Sequence, residues 1–209
     1  MRQELKPFNA YNDANIPWLV QIPTHWKTKR AAILFNERKV KNSEYEIKNA
    51  FQFKFGEIVE KKQLGTEDEL KEIYKKYTVV NESDIIINGL NLNYDFVTQR
   101  VGLVRKTGII TSAYISISPQ SQLNPKYACY LLKSMDSRKL FNGMGTGIRL
   151  TLSFGELKKQ YLPYPPIHEQ DQIVKFLDFK ISLINRFIKA KKREIELLKE
   201  RTVQDYRST

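Results

Sequence analysis

Apolar residues change their spacing once in this chain. From Ala50 to Phe55 they alternate with polar ones, the period-two signature of a half-buried strand, and Glu57–Glu60 can follow it after Gly56. Asp84–Ile87, Arg100–Val104 and Ile109–Ile117 are further β-rich runs. Polar caps between the runs announce helices. Thr66 and Glu69 form a capping box ahead of Leu70, Ile73 and Tyr77. Asn124-Pro125 places a cap and an N1 proline before Tyr127, Tyr130 and Leu131, and Ser153 with Glu156 opens a shorter helix. After Pro165-Pro166 there is neither glycine nor proline. Residues from about His168 to Arg201 are therefore expected to form one helix, roughly 50 Å long at 1.5 Å per residue.

Within that helix Leu177, Ile181, Ile184, Ile188, Lys191, Ile195 and Leu198 are separated alternately by four and three residues, a heptad seam with one polar interruption. A second seam runs beside it through Phe176, Leu183, Phe187, Ala190 and Leu197. A stripe this wide needs more than one neighbour, and only one helix of this length is predicted. Another chain is expected to cover part of it; the alternative is a helix lying on its own domain. The fold class is accordingly α+β: a mixed globular domain over residues 1–164, followed by a coiled-coil-like spacer or dimerisation helix over residues 165–209.

At 41% hydrophobic and 11% aromatic residues, the 209-residue chain is not disordered. Its 35 Lys and Arg against 23 Asp and Glu leave a net charge of +12. That imbalance points to a polyanionic partner, nucleic acid first and an acidic membrane surface second. The lone Cys129 excludes an intrachain disulfide and suits a reducing compartment. With only His25 and His168 beside it, no structural zinc or other metal site is expected. The opening MRQELKPFNA has no signal-peptide core, and no apolar run approaches the roughly 18 residues of a membrane span. A soluble, cytoplasmic protein is expected.

No pattern marks a catalytic residue. The one glycine cluster, Gly143 to Gly147, follows a predicted helix instead of a strand, does not match a dinucleotide-binding turn, and is read as a mobile loop. Asn91-Leu92-Asn93-Tyr94 lacks both prolines of the element found in amino-methyltransferases, and nothing activates Ser112 or Ser153. Nucleic-acid readers instead need Lys and Arg for phosphates, and Asn, Gln, Arg and Ser for base edges. Three polar stretches supply them: Asn88–Arg100, Thr111–Tyr114 and Asn142–Arg149. Asn and Gly also simply build turns. Taken as a set in a chain this basic, they suggest a binding surface with Asn88, Asn91, Asn93, Arg100, Ser112, Tyr114, Thr146 and Arg149 as contact residues.

Gly145-Thr-Gly-Ile-Arg-Leu-Thr-Leu-Ser153, followed by Tyr161-Leu-Pro-Tyr-Pro-Pro-Ile-His-Glu-Gln-Asp-Gln-Ile-Val174, resembles the end of a target-recognition domain in the DNA specificity (S) subunits of type I restriction–modification systems. The Pro-Pro-x-x-Glu-Gln element at Pro165 to Gln170 is the most specific part. Ile16-Pro-Trp-Leu19, Ile22-Pro-Thr-His-Trp26, Gly56-Glu-Ile-Val59, Asp84-Ile-Ile-Ile-Asn88 and Gly108-Ile-Ile-Thr-Ser-Ala-Tyr114 resemble further segments in the same order. The resemblance implies a non-catalytic module that contacts one half of a split site on double-stranded DNA. Its helix would space two such modules and dock methyltransferase (M) subunits, with a restriction (R) subunit in the complex. S-adenosylmethionine would belong to the methyltransferase, leaving this chain without a cofactor.

The usual subunit carries two recognition domains and two spacer helices, whereas this chain has one of each, so a half-sized or truncated form is implied. An antiparallel homodimer through Leu177, Ile181, Ile184, Ile188, Ile195 and Leu198 would supply the second head, with half-site centres about one helical turn apart. The alternative from another class is an oligomerising module that binds RNA or protein.

Overall fold

The protein's structure, a computed structural model, describes residues 7–54, 56–94 and 97–207, with side chains as far as Glu200. Phe55 at the end of the first predicted strand, Asp95 and Phe96 in the first polar stretch, and residues 1–6 of the opening segment lie outside the described residues.

The N-terminal part holds β1 (Tyr11–Ile16), β2 (Leu19–Pro23), β3 (Lys27–Arg30), α1 (Ala31–Leu34) and β4 (Phe35–Glu37). The middle holds β5 (Phe51–Lys54), β6 (Glu57–Glu60), α2 (Glu67–Tyr74), β7 (Thr78–Val80), β8 (Ile85–Ile87) and β9 (Val101–Leu103). Then come β10 (Gly108–Ile110), β11 (Ile115–Pro119), α3 (Pro125–Ser137), α4 (Leu140–Met144), α5 (Phe154–Leu157), β12 (Tyr161–Tyr164) and α6 (Ile167–Arg207).

An antiparallel sheet in the order β4-β11-β8-β9 organises the head. Its central strand β8 is a bare Ile85-Ile86-Ile87 run, all three fully buried. Successive side chains in a strand point to opposite faces, so the run serves two cores. Ile85 and Ile87 join the larger core with Leu132 and Met135 of α3, while Ile86 joins a second with Phe51, Val80, Val104 and Ile110. Burial of each isoleucine is worth about 1.5–3 kcal/mol, which explains why this strand lacks the polar half of the usual alternation. Asp84, buried just before it, accepts Arg38 Nε at 3.1 Å and the Asn81 N–H at 2.8 Å. The remaining strands form two-stranded antiparallel sheets: the hairpins β1-β2 and β5-β6, and the non-local pairs β7-β10 and β3-β12.

The caps form as their sequences predict. Thr66 and Glu69 exchange both capping-box bonds, and the Asn124 side chain accepts from the Lys126 and Tyr127 N–H groups. Ser153 accepts from Glu156 N–H at 3.3 Å. Three boundaries differ. The Ile109–Ile117 run is two strands, because the Thr111–Tyr114 turn interrupts it and delivers β10 to β7 but β11 to β8. Tyr77 lies beyond α2, where its ring packs 5.2 Å from that of Tyr74. Gly143 is inside α4, so the glycine cluster starts as helix, not loop.

The α+β head leads into the long helix that the spacing predicts. It begins at Ile167 and runs 41 residues, about 62 Å, longer than expected at both ends. Its first three turns rest on α3, with Val174 buried in the main core. From Phe179 to Glu200 every residue is exposed. That span includes Ile181, Ile184, Ile188, Ile195 and Leu198 of the first seam, while Leu177 is half-buried at the joint. Among the described residues no helix is long and apolar enough to cross a membrane.

Candidate nucleic-acid interface

Strand register gathers the polar stretches. Ile87 at the end of β8 stands opposite Val101 on one side and Ile115 on the other. The next residue, Asn88, therefore lies beside Arg100 and Tyr114 at the same end of the sheet, and the Asn88 N–H donates to the Arg100 carbonyl at 2.8 Å. The loop that starts at Asn88 is joined to the third stretch. Leu92 N–H donates to Leu150 O at 3.1 Å, Leu152 N–H donates to Gly89 O at 2.9 Å, and the Asn142 amide donates to Leu92 O. Gly89 permits this closeness, since a Cβ there would sit 2.6 Å from the Leu152 oxygen.

Within the third stretch, Thr146 and Thr151 bond each other reciprocally at 3.1 and 2.9 Å and close a tight loop. Gly147 turns it with φ +74°, and Leu150 completes it at φ +43°, a conformation that costs a non-glycine residue on the order of 1–2 kcal/mol. The loop presents Thr146, Ile148 and Arg149 to solvent. Ile148 is 96% exposed, and its carbonyl accepts from Asn93 Nδ2 at 3.4 Å.

Asn88, Asn91, Asn93, Thr146 and Arg149 thus lie in two connected loops. Asn91 is exposed at φ 51°, and Asn88 Oδ1 accepts from the Leu90 N–H at 3.2 Å in a local turn. The buried Asn93 Oδ1 has no hydrogen-bond partner among the described residues. Arg100 has a different place from the one its sequence suggests. It is 4% exposed, with Nη1 donating to the carbonyls of Asn88 and Leu90 at 3.2 and 2.8 Å and Nη2 to that of Asn91 at 3.3 Å. The loop turns these carbonyls inward, and a buried carbonyl must be paired. The guanidinium satisfies three of them and shapes the loop from below. Its backbone N–H donates to the buried Asp136 carboxylate at 2.7 Å.

Ser112 and Tyr114 are also engaged elsewhere. Ser112 Oγ donates to Lys76 O at 2.7 Å and accepts from Lys41 Nζ. The Tyr114 ring packs edge-on against Phe53 in the second core. Sequence reasoning passed over Ile148 and Tyr94, both strongly exposed at these loops. Their signal was an apolar residue outside any helical or strand period. Cys129 is buried in α3, and desolvation pushes its thiol up to about 11.

The model of the type I restriction modification DNA specificity domain matches residues 25–197. Among solved structures, the HsdS subunit from Thermoanaerobacter tengcongensis is similar with a TM-score of 0.53 and 15% identity, over 81% of this chain and 40% of that one. A structure described as the basis of complex assembly and conformational transition of the type I R-M system is similar with a TM-score of 0.55 and 14% identity, over 81% and 41%. These likenesses show a shared fold, and the chain spans about two fifths of the length of either structure. No curated protein sequence matches the chain.

Proposed function

The chain belongs to the family of type I restriction–modification DNA specificity domains, and from that premise we propose that it reads one half of a bipartite duplex site for a partner enzyme. It directs an adenine methyltransferase, together with a restriction subunit, to that site in the cytoplasm. The chain adds specificity and no catalysis, and S-adenosylmethionine is held by the methyltransferase. The observation that carries this reading is the convergence of Asn88, Asn91, Asn93, Thr146 and Arg149 on two joined loops at one end of a sheet, in a chain of net charge +12. The exposed Asn91 amide and Arg149 guanidinium, with the half-buried Asn88 and Asn93 beside them, match base edges, and the excess of basic residues supplies the phosphate contacts that position them.

The second half of the site is read by a second copy. Isoleucines and leucines at heptad spacing line the exposed part of α6, and antiparallel pairing places the two heads at opposite ends of the paired rods. Full overlap of the 22 exposed residues from Phe179 to Glu200 separates the heads by about 33 Å. That is close to the roughly 34–36 Å of one DNA turn, so both heads address the same face of the duplex.

Methylome sequencing of cells that hold the partner methyltransferase, with and without this chain, tests the proposal. Adenine methylation at a two-part motif is expected only when the chain is present. An identical pattern in both cultures refutes it.

A further inference from the structure

The Pro165–Gln170 element sits at the joint between head and rod. Glu169, nearly buried, accepts His25 Nε2 at 2.6 Å on one carboxylate oxygen and Trp26 Nε1 at 2.8 Å on the other. Gln170 is wholly buried. Its Oε1 accepts the Asn124 N–H at 2.8 Å, and its Nε2 donates to Pro165 O at 2.9 Å and to Gln122 O at 3.4 Å.

Consecutive helix residues point about 100° apart, so these two side chains hold the start of α6 from different directions. Glu169 is held by the N-terminal segment and Gln170 by the corner before α3. A further anchor lies eight residues on, about 12 Å along the axis. There Asp178 accepts Lys126 Nζ at 2.9 Å and the Tyr130 hydroxyl at 2.5 Å. Asp171 accepts Asn124 Nδ2 at 2.7 Å between them. A single pin would let the rod pivot. Anchors in two directions and at two heights do not.

We propose that Glu169 and Gln170 are positioning residues that lock the direction of the rod relative to the head, and thereby set the gap between the two half-sites. The consequence for the gap rests on the two-headed reading above; the lock itself does not. The buried pair also supplies a physical reason for the Glu-Gln dipeptide. A carboxylate is needed to accept two donors from His25 and Trp26, and an amide is needed to accept from one N–H while donating to two carbonyls.

The test places nitroxide labels on the full chain at Leu64→Cys in the head and Lys192→Cys in the rod, both exposed, leaving the buried Cys129 unlabelled. Labelled chain is diluted in excess unlabelled chain so that pulsed electron resonance reads only distances within one molecule. The native protein should give one narrow distance. Glu169→Ala with Gln170→Ala should at least double its width or displace it, and Trp26→Phe, which keeps an aromatic ring but loses the N–H donor, should broaden it less. Unchanged distributions in both overturn the lock. Should the double variant lose its folded circular-dichroism spectrum, Trp26→Phe and Glu169→Gln decide alone.

In parallel, native and double-variant chains select duplexes from a library with a randomised gap. The lock predicts one gap for the native chain and a spread of several base pairs for the variant. A native chain that selects no gap refutes the two-headed reading, and the distance measurement still settles the lock.

Discussion

At the joint, Gln170 has no exposed surface and its amide oxygen and nitrogen are both bonded, while Glu169 receives two donors. In the loops at the sheet end, Asn91 and Arg149 are exposed. Both regions are built from amides and charged groups. They differ in whether the backbone around them consumes the hydrogen bonds. An unmade bond on a buried polar group costs about 1–3 kcal/mol, so the joint tolerates only one arrangement. Exposed groups are bonded by water that a ligand can replace, which leaves the loops able to meet a partner.

Arg100 sits on the border between the two kinds of region, and it should show the largest effect. Arg100→Ala removes the guanidinium donor from the carbonyls of Asn88 and Leu90 and leaves Asn91 O only the Tyr94 N–H; it should lower stability by about 3 kcal/mol, read as a denaturation midpoint shift. Binding to every duplex should weaken together. A variant of native stability that misreads a single base would instead move Arg100 among the readers.

The exposed half of α6 comes next, because its apolar surface belongs to neither region. Ile184 and Ile188 are 56% and 44% exposed in the single chain. Ile184→Ala with Ile188→Ala should weaken self-association by about 2–3 kcal/mol, roughly a hundredfold, in light scattering, with the melting of the head unchanged. Native chain that is monomeric at micromolar concentration excludes this pairing.

Arg149→Ala should leave stability within about 0.5 kcal/mol of native. It should cut discrimination at one base pair by about 2 kcal/mol if its guanidinium forks onto a base edge, as competition between duplexes would show. Uniform weakening with a shallower salt dependence assigns it to a phosphate instead. Arg100 and Arg149 are the same residue type in the same kind of polar stretch, and spacing alone did not separate them. What separates them is burial, decided by the carbonyls that one loop turns inward.

Caps and periods were readable because they are local. Thr66 with Glu69, Asn124-Pro125 and the uninterrupted run after Pro166 each determine their element within a few residues. The fold class and the long helix followed from them. The partners of Glu169 and Gln170 were not readable, since His25 and Trp26 lie more than 140 residues from Glu169, and Asn124 and Gln122 more than 40 from Gln170, and they meet only through the folded head. The Thr111–Tyr114 break was hidden for a related reason: its flanking strands are both apolar but pair in different sheets.

The smallest effect concerns the outer anchor of the joint. Burial pushes the Asp178 carboxyl up, but hydrogen bonds from Tyr130 and Lys126, with the Lys126 charge, outweigh it and hold the group below its ordinary 3.8. A carboxyl whose pKa is depressed on folding stabilises the folded state above its unfolded value and loses that contribution as pH falls through its folded one. Asp178 is partly open to solvent, so the contribution is that of a surface pair, below about 1 kcal/mol. Asp178→Asn should therefore cost a few tenths of a kcal/mol near pH 7, and the difference from native should vanish well below pH 3.8. In the labelled chain, the head-to-rod distance should broaden slightly over the same acid range while Gln170, which does not titrate, keeps the rod attached. A broadening that appears only on the alkaline side would mean that the Asp178 carboxylate does not control this end of the joint.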